Sequence, residues 1–151
     1  MTTSRQKPRP QQRRWARRLA TQALYQWQLD HQDIGQVNAQ FLTERDMGAA
    51  DLAYFQELLQ QTVHHIDAIE AVVTPYLDRP MAQIDPVERA ILWIGGYELL
   101  YRADVPYRVI INEAVELAKT FGAEQGHRFV NGVLDKIAQQ VRSEEISARR
   151  R

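Results

Sequence analysis

Ala16, Leu19, Ala20, Ala23, Leu24 and Trp27 recur at the i, i+3, i+4, i+7 spacing of a helix that buries one stripe. That spacing predicts a first helix over about residues 13–29. At about 100° per residue, Arg14, Arg17, Arg18, Thr21, Tyr25 and Gln28 gather on the opposite side, an expected basic outer face with a tyrosine on it. A short helix is predicted over 34–42 and a long one over 51–73, the latter buried through Leu52, Phe55, Leu59, Val63, Ile66 and Val73 and ended by Pro75. Asp85-Pro86-Val87-Glu88 is a helix start: Asp85 caps, Pro86 suits the first position and Glu88 closes a capping box. The helix that follows, to about residue 101, is apolar nearly all round and so belongs at the centre of a bundle. Gly95-Gly96 would weaken it, unless a neighbouring helix approaches closely there. Pro106 precedes a helix over 107–121 with Gly122 as its stop, and a last helix begins near Gly126 with Val130, Val133, Leu134, Ile137 and Val141 as its stripe.

No strand-like alternation occurs, so the expected fold is all-α. The linker around Pro80 divides the helices, giving a single domain of two packed three-helix sub-bundles, about 13–75 and 84–141. Residues 1–12 hold Pro8, Pro10 and several glutamines but no core-forming side chain, and are expected to be a disordered arm. Residues 142–151 are expected to be a frayed, charged tail.

Charge changes this picture more than composition does. The net charge is zero, but residues 1–18 carry seven bases and no acid, whereas residues 19–141 carry seventeen acids against eight bases. A basic end on an acidic body suggests a local anion-binding surface; a solvated basic tail is the plainer alternative. No cysteine is present, which excludes a disulfide scaffold, a thiolate metal site and a cysteine nucleophile. No apolar run approaches 18 residues, and the basic N-terminus lacks the hydrophobic segment of a secretory signal, so a cytoplasmic protein with no membrane association is expected.

Catalytic signals are missing. His64 and His65 are adjacent and diverge on a helix, His31 and His127 have no partner four residues away, and no cofactor or metal site is expected. Glu113 and Glu116 lie one turn apart but read as a solvated face rather than a catalytic pair. No glycine-rich phosphate loop or nucleophile elbow occurs, so the chain reads as a non-enzyme. Single-stranded RNA needs cations for phosphates and flat groups for stacking. The first helix offers arginines beside Tyr25, and the last offers Arg128 beside Phe129, which is offset from the main stripe. Tyr25 and Phe129 could equally be edges of the core.

Two segments carry a family resemblance. One is Arg13-Arg14-Trp15-Ala16-Arg17 leading into Ala23-Leu24-Tyr25-Gln26-Trp27-Gln28. The other runs from Asp104-Val105-Pro106-Tyr107 through Ile111-Asn112-Glu113-Ala114 to Phe121-Gly122 and Arg128-Phe129-Val130-Asn131-Gly132-Val133-Leu134-Asp135. From about residue 13 to 141 the chain resembles the NusB family of transcription antitermination factors. The resemblance implies an all-helical protein that binds boxA RNA of ribosomal-RNA operon transcripts. It implies two partners: NusE, a ribosomal small-subunit protein, and the RNA polymerase antitermination complex in which premature termination is prevented. By position, Arg13, Arg14, Arg17, Arg128 and Phe129 match the family's RNA-contacting residues, and Tyr25 and Glu88 its NusE-facing side. Trp15 departs from the pattern where relatives often carry another arginine, and Gln125-Gly126 departs where an acid and a serine are common. The same helical domain is fused to ribosomal-RNA cytosine methyltransferases, which need a Rossmann domain and catalytic cysteines. This chain ends at Arg151 without a cysteine and is not expected to be that enzyme. A protein-interaction module using the groove between sub-bundles is the third reading.

Overall fold

The computed structural model describes residues 9–149, and among these the regular structure is entirely helical. The order is α1 (Pro10–Asp30), α2 (Ile34–Glu44), α3 (Leu52–His64), α4 (Ile66–Val73), α5 (Pro86–Tyr101), α6 (Tyr107–Phe121), α7 (Gly126–Val141) and α8 (Ser143–Arg149). Short 3-10 turns at Thr74–Tyr76 and Met81–Gln83 bridge α4 to α5. Aspartates start three of the helices. Asp33 accepts from the Gly35 amide at 3.1 Å, Asp51 from Tyr54 at 3.0 Å and Asp85 from Val87 at 2.9 Å, each satisfying an amide the helix leaves unpaired.

α5 is the axis. Every residue from Ala90 to Leu99 is buried, and α1, α3, α4, α6 and α7 all pack on it. The glycine pair makes that possible: a Cβ on Gly95 would meet Leu134 Cδ1 at 2.8 Å, and one on Gly96 would meet Ile69 Cγ2 at 2.9 Å. Close approach of α7 and α4 therefore offsets the helix-weakening cost of glycine. On one side α1, α2 and α3 pack mutually, with Phe41 stacked on Phe55 at 6.0 Å between ring centroids. On the other, α6 and α7 pack together and against α5.

Four expectations change. α1 begins at Pro10, so the expected arm loses residues 10–12 to the helix; its first eight residues lie outside the described ones. Pro10 at the first helical position explains the early start, since its ring presets the helical φ and its missing amide would have had no partner. The long helix of 51–73 is broken at His65 (φ −103°, ψ 20°) into α3 and α4. The break lets Phe55, Leu58 and Leu59 serve the α1 side while Ile69 and Val73 serve α5 and α7. Glu88 does not close a capping box; its carboxylate turns away to lie against Gly126.

The tail also folds, as far as Arg149, and Arg142 is the reason. It is buried, and its guanidinium donates to the carbonyls of Leu99 at 2.8 Å, Glu98 at 3.0 Å, Arg102 at 2.8 Å and Val105 at 3.0 Å. Those are carbonyls in the last turn of α5 and just beyond it; Glu98 and Arg102 also accept from the Arg102 and Val105 amides, and Arg142 supplies a second donor to each. Glu145 then links Arg142, at 2.6 Å, to the Tyr107 amide at the start of α6, at 2.9 Å.

Candidate nucleic-acid interface

α1 carries no acid in its first turn, so the positive end of its macrodipole adds to the arginine charge instead of being offset. The three arginines singled out there have different fates. Arg14 points outward with its side chain 62% exposed, and grips Glu113 of α6 through Nε–Oε2 and Nη2–Oε1 contacts of 3.1 Å each. The hydrogen bond and charge of Glu113 raise the Arg14 pKa above its ordinary value, so it is a permanent cation. Glu113 is itself nearly buried, which corrects the expectation of a solvated carboxylate face; Glu116 remains exposed and pairs loosely with Lys119 at 3.7 Å.

Arg17 lies inside the protein, contrary to its expected place on the outer face. Its guanidinium forks onto Glu98 of α5, Nε to Oε1 at 2.9 Å and Nη2 to Oε2 at 2.8 Å, with the two side chains 4% and 1% exposed. The Tyr54 hydroxyl donates to the same Glu98 oxygen. Burial alone would lower the Arg17 pKa, but the hydrogen bond and charge of Glu98 outweigh it and raise the value. Burial, then the Glu98 charge, push the Tyr54 phenol up, so it stays a donor at any physiological pH. Arg13 lies over the Tyr54 ring at 4.3 Å, with Arg102 over the same ring at 5.1 Å. Arg13 is thus half-buried on the rim, Arg14 outside and Arg17 within. The 100° geometry failed for Arg17 because α1 packs on α3 and α5 at once, and that burial takes in Thr21 as well.

Glu98 is the residue the sequence reading missed, and Arg18, placed on the expected basic face, was not singled out as a site residue. The signal for Glu98 was present: a carboxylate inside an otherwise apolar central helix must find a buried cation. Arg18 lies 5.2 Å from the Trp15 ring and 5.3 Å from the Phe121 ring. Trp15 is 48% exposed. Arg14 and Arg18 also line a groove with Glu113, Glu116, Leu117 and Thr120. Along this outer seam Arg14 meets the middle of α6 and Arg18 its end, so the basic start of α1 leads toward the loop before α7.

At the start of α7, Arg128 is exposed, Phe129 half-buried and Val130 fully buried, as their spacing predicts. Arg79 covers the Phe129 ring at 5.0 Å. Phe129 shares a groove with Arg79, Asp85, Glu88, Gln125 and Gly126, so it adjoins Glu88 rather than the arginines of α1. Glu88 is 5% exposed, and burial raises its pKa above the ordinary carboxylate value. A Cβ at residue 126 would collide with the Glu88 carboxylate, so Gly126 is what admits it there. Tyr25 is 38% exposed. Gln28, one turn later, donates to the Pro86 carbonyl at 2.9 Å, which brings the Tyr25 side of α1 to the start of α5 where Glu88 sits. Among the described residues no cluster of three potential metal ligands occurs, and no helix is long and apolar enough to cross a membrane.

Comparison with known proteins agrees with this architecture. The model of the NusB family matches residues 14–139. The chain is 53% identical over 134 residues to the transcription antitermination protein NusB of Shewanella halifaxensis, covering 89% of this chain and 99% of that one. It is 52% identical to the NusB of Nitrosococcus oceani, with 89% and 90% covered. Among solved structures, T. maritima NusB superposes with a TM-score of 0.77 at 31% identity, covering 89% of this chain and 96% of the other. A NusB chain from a crystal structure of antitermination factors NusB and NusE in complex with dsRNA superposes with a TM-score of 0.78 at 27% identity, covering 86% and 98%.

Proposed function

The chain belongs to the NusB family, and on that premise we propose that it is a transcription antitermination factor binding boxA RNA of ribosomal-RNA operon transcripts together with NusE. Its role is regulatory, not enzymatic: it delivers this assembly to RNA polymerase in the cytoplasm and prevents premature termination. The observation that carries the RNA half of this reading is the outer seam of α1 and α6, where Arg14 and Arg18 stand exposed or half-exposed beside an exposed tryptophan. The relatives' shared name and the NusB–NusE–dsRNA superposition support the partner half.

Within this reading the arginines divide their work. Arg14 and Arg128 contact phosphates directly. Arg14 presents its exposed guanidinium to a phosphate from the mouth of its pair with the nearly buried Glu113. Arg13 borders the site on the Tyr54 ring. Arg17 is a positioning residue: its bond to Glu98 fixes the pitch of α1 and thereby aims Arg13 and Arg14. Phe129 offers a ring for base stacking beside Arg128. Tyr25 faces NusE, whose basic character suits the acidic body of this chain, and Glu88 backs that side from the wall of the adjoining groove, almost wholly buried.

The test is a titration of boxA RNA against the protein alone and with saturating NusE. The expected result is tighter RNA binding with NusE, and by reciprocity tighter NusE binding with RNA by the same factor. Equal RNA affinity in both titrations overturns the cooperative reading.

A further inference from the structure

Trp15 is the most exposed tryptophan-sized surface on α1, yet it is not loose. Arg18, one turn on, lies over its ring at 5.2 Å and over Phe121 at 5.3 Å, so one guanidinium is held between two aromatic groups from two helices. Trp15 keeps 48% of its surface open while its neighbour is anchored to the end of α6. An aromatic ring presented this way has less freedom to lose when something stacks on it. The surroundings say what that something is. Arg14 and Arg18 border the groove beside it, with Glu113 paired to Arg14 and Glu116 to Lys119, and an exposed flat ring next to two guanidinium groups suits a base with its phosphates better than an apolar protein surface.

We propose that Trp15 is a base-stacking residue, and that Trp15, Arg18 and Phe121 form a binding platform for one unpaired nucleotide. Its position lies between the two RNA patches already assigned, since Arg18 meets Phe121 at the end of α6, five residues before α7 begins. The base stacks on the open part of the Trp15 indole. Arg18 holds the indole from the side of Phe121 and lends its charge to the adjacent phosphate. At residue 15, where the family resemblance leads one to expect an arginine, this chain therefore offers a stacking contact. The inference rests on the RNA-binding reading above and adds a subsite to it.

The experiment uses the full chain with NusE and a single-stranded boxA RNA, in parallel with the same strand carrying one abasic site moved along its length. Trp15→Ala is expected to weaken binding roughly 5- to 100-fold, the range for losing one stacked base, with the salt dependence unchanged because no charge is removed. Trp15→Phe, which keeps a ring, is expected to retain most of the affinity. One abasic position should weaken the wild-type complex comparably and leave the Trp15→Ala complex little changed. Wild-type affinity in Trp15→Ala overturns the platform while leaving the RNA-binding reading intact. So does a loss that no abasic position masks, or a Trp15→Ala protein that binds RNA normally but loses NusE, which would make Trp15 a protein contact. Failure of the unmodified protein to bind the RNA at all overturns both readings together.

Discussion

Arg14 and Arg17 stand one turn apart on α1, and each forms an ion pair with a glutamate from another helix. Arg14 and Glu113 lie on the outer seam between α1 and α6, where the arginine side chain is 62% exposed. Arg17 and Glu98 lie on the inner seam between α1 and α5, almost wholly out of water. The same chemistry has opposite consequences. In the outer pair water screens the attraction, so the cation remains available to a polyanion. In the inner pair neither charge can be solvated again without opening the bundle, so each residue depends on the other. A cluster of arginines at a helix start is therefore not one functional unit: part of it recognises, and part of it holds the recogniser in place.

The sharpest way to break this contrast is at the inner seam. Arg17→Ala leaves Glu98 and the Tyr54 hydroxyl without their cation, and should cost about 3–5 kcal/mol in chemical denaturation. RNA binding should weaken through the unfolded fraction and, in the molecules that stay folded, through the lost aim of Arg13 and Arg14, with the salt slope unchanged. A normally stable Arg17→Ala protein whose RNA binding also loses about 0.7 of its salt slope would show that Arg17 contacts an RNA phosphate directly. Arg142→Ala strips the guanidinium from the carbonyls that end α5, and should cost about 1–3 kcal/mol by thermal melt with little effect on RNA affinity per folded molecule.

The outer surface should respond in the reverse way. Phe129→Ala should weaken RNA binding by about 1–3 kcal/mol while changing the melting temperature little, whereas Val130→Ala, one residue on and fully buried, should lower stability and spare binding. If Phe129→Ala melts early and binds RNA normally, Phe129 is a core residue. Arg14→Ala should cost less stability than Arg17→Ala, because its side chain is 62% exposed, and should reduce the salt slope of RNA binding by about 0.7. An unchanged slope in a salt titration would remove Arg14 from the interface.

The smallest effect expected is a pH dependence. Burial alone would raise the Glu145 pKa, but the Tyr107 amide and the Arg142 guanidinium outweigh it and hold the carboxyl below the usual range. A depressed folded value means that the contribution is complete above the unfolded pKa and is lost as pH falls through the folded one. Glu145→Gln should therefore lose part of the acid-side slope in a stability-versus-pH series. An identical slope in wild type and variant would show that Glu145 does not hold α6 and α8 together.

Much of this molecule follows from sequence alone. Apolar spacing fixed the boundaries of α5, α6 and α7, because proline, aspartate and glycine at their ends act locally on the backbone. It also placed Val130 inside and Phe129 at the edge, a distinction set by helical geometry. The family resemblance rested on contiguous segments for the same reason: residues read in order need no knowledge of neighbours in space. Tertiary structure alone decided which cations are buried. Arg17 meets a residue 81 positions away and Arg142 caps carbonyls about 40 positions away, and no local pattern encodes such meetings. The break at His65 and the folding of α8 belong to the same class, since each depends on which other helix is there to receive an exposed group. Helical periodicity sorts residues into faces, but a helix packed on several neighbours has more than one inner face, and only packing says which of its polar residues lies there.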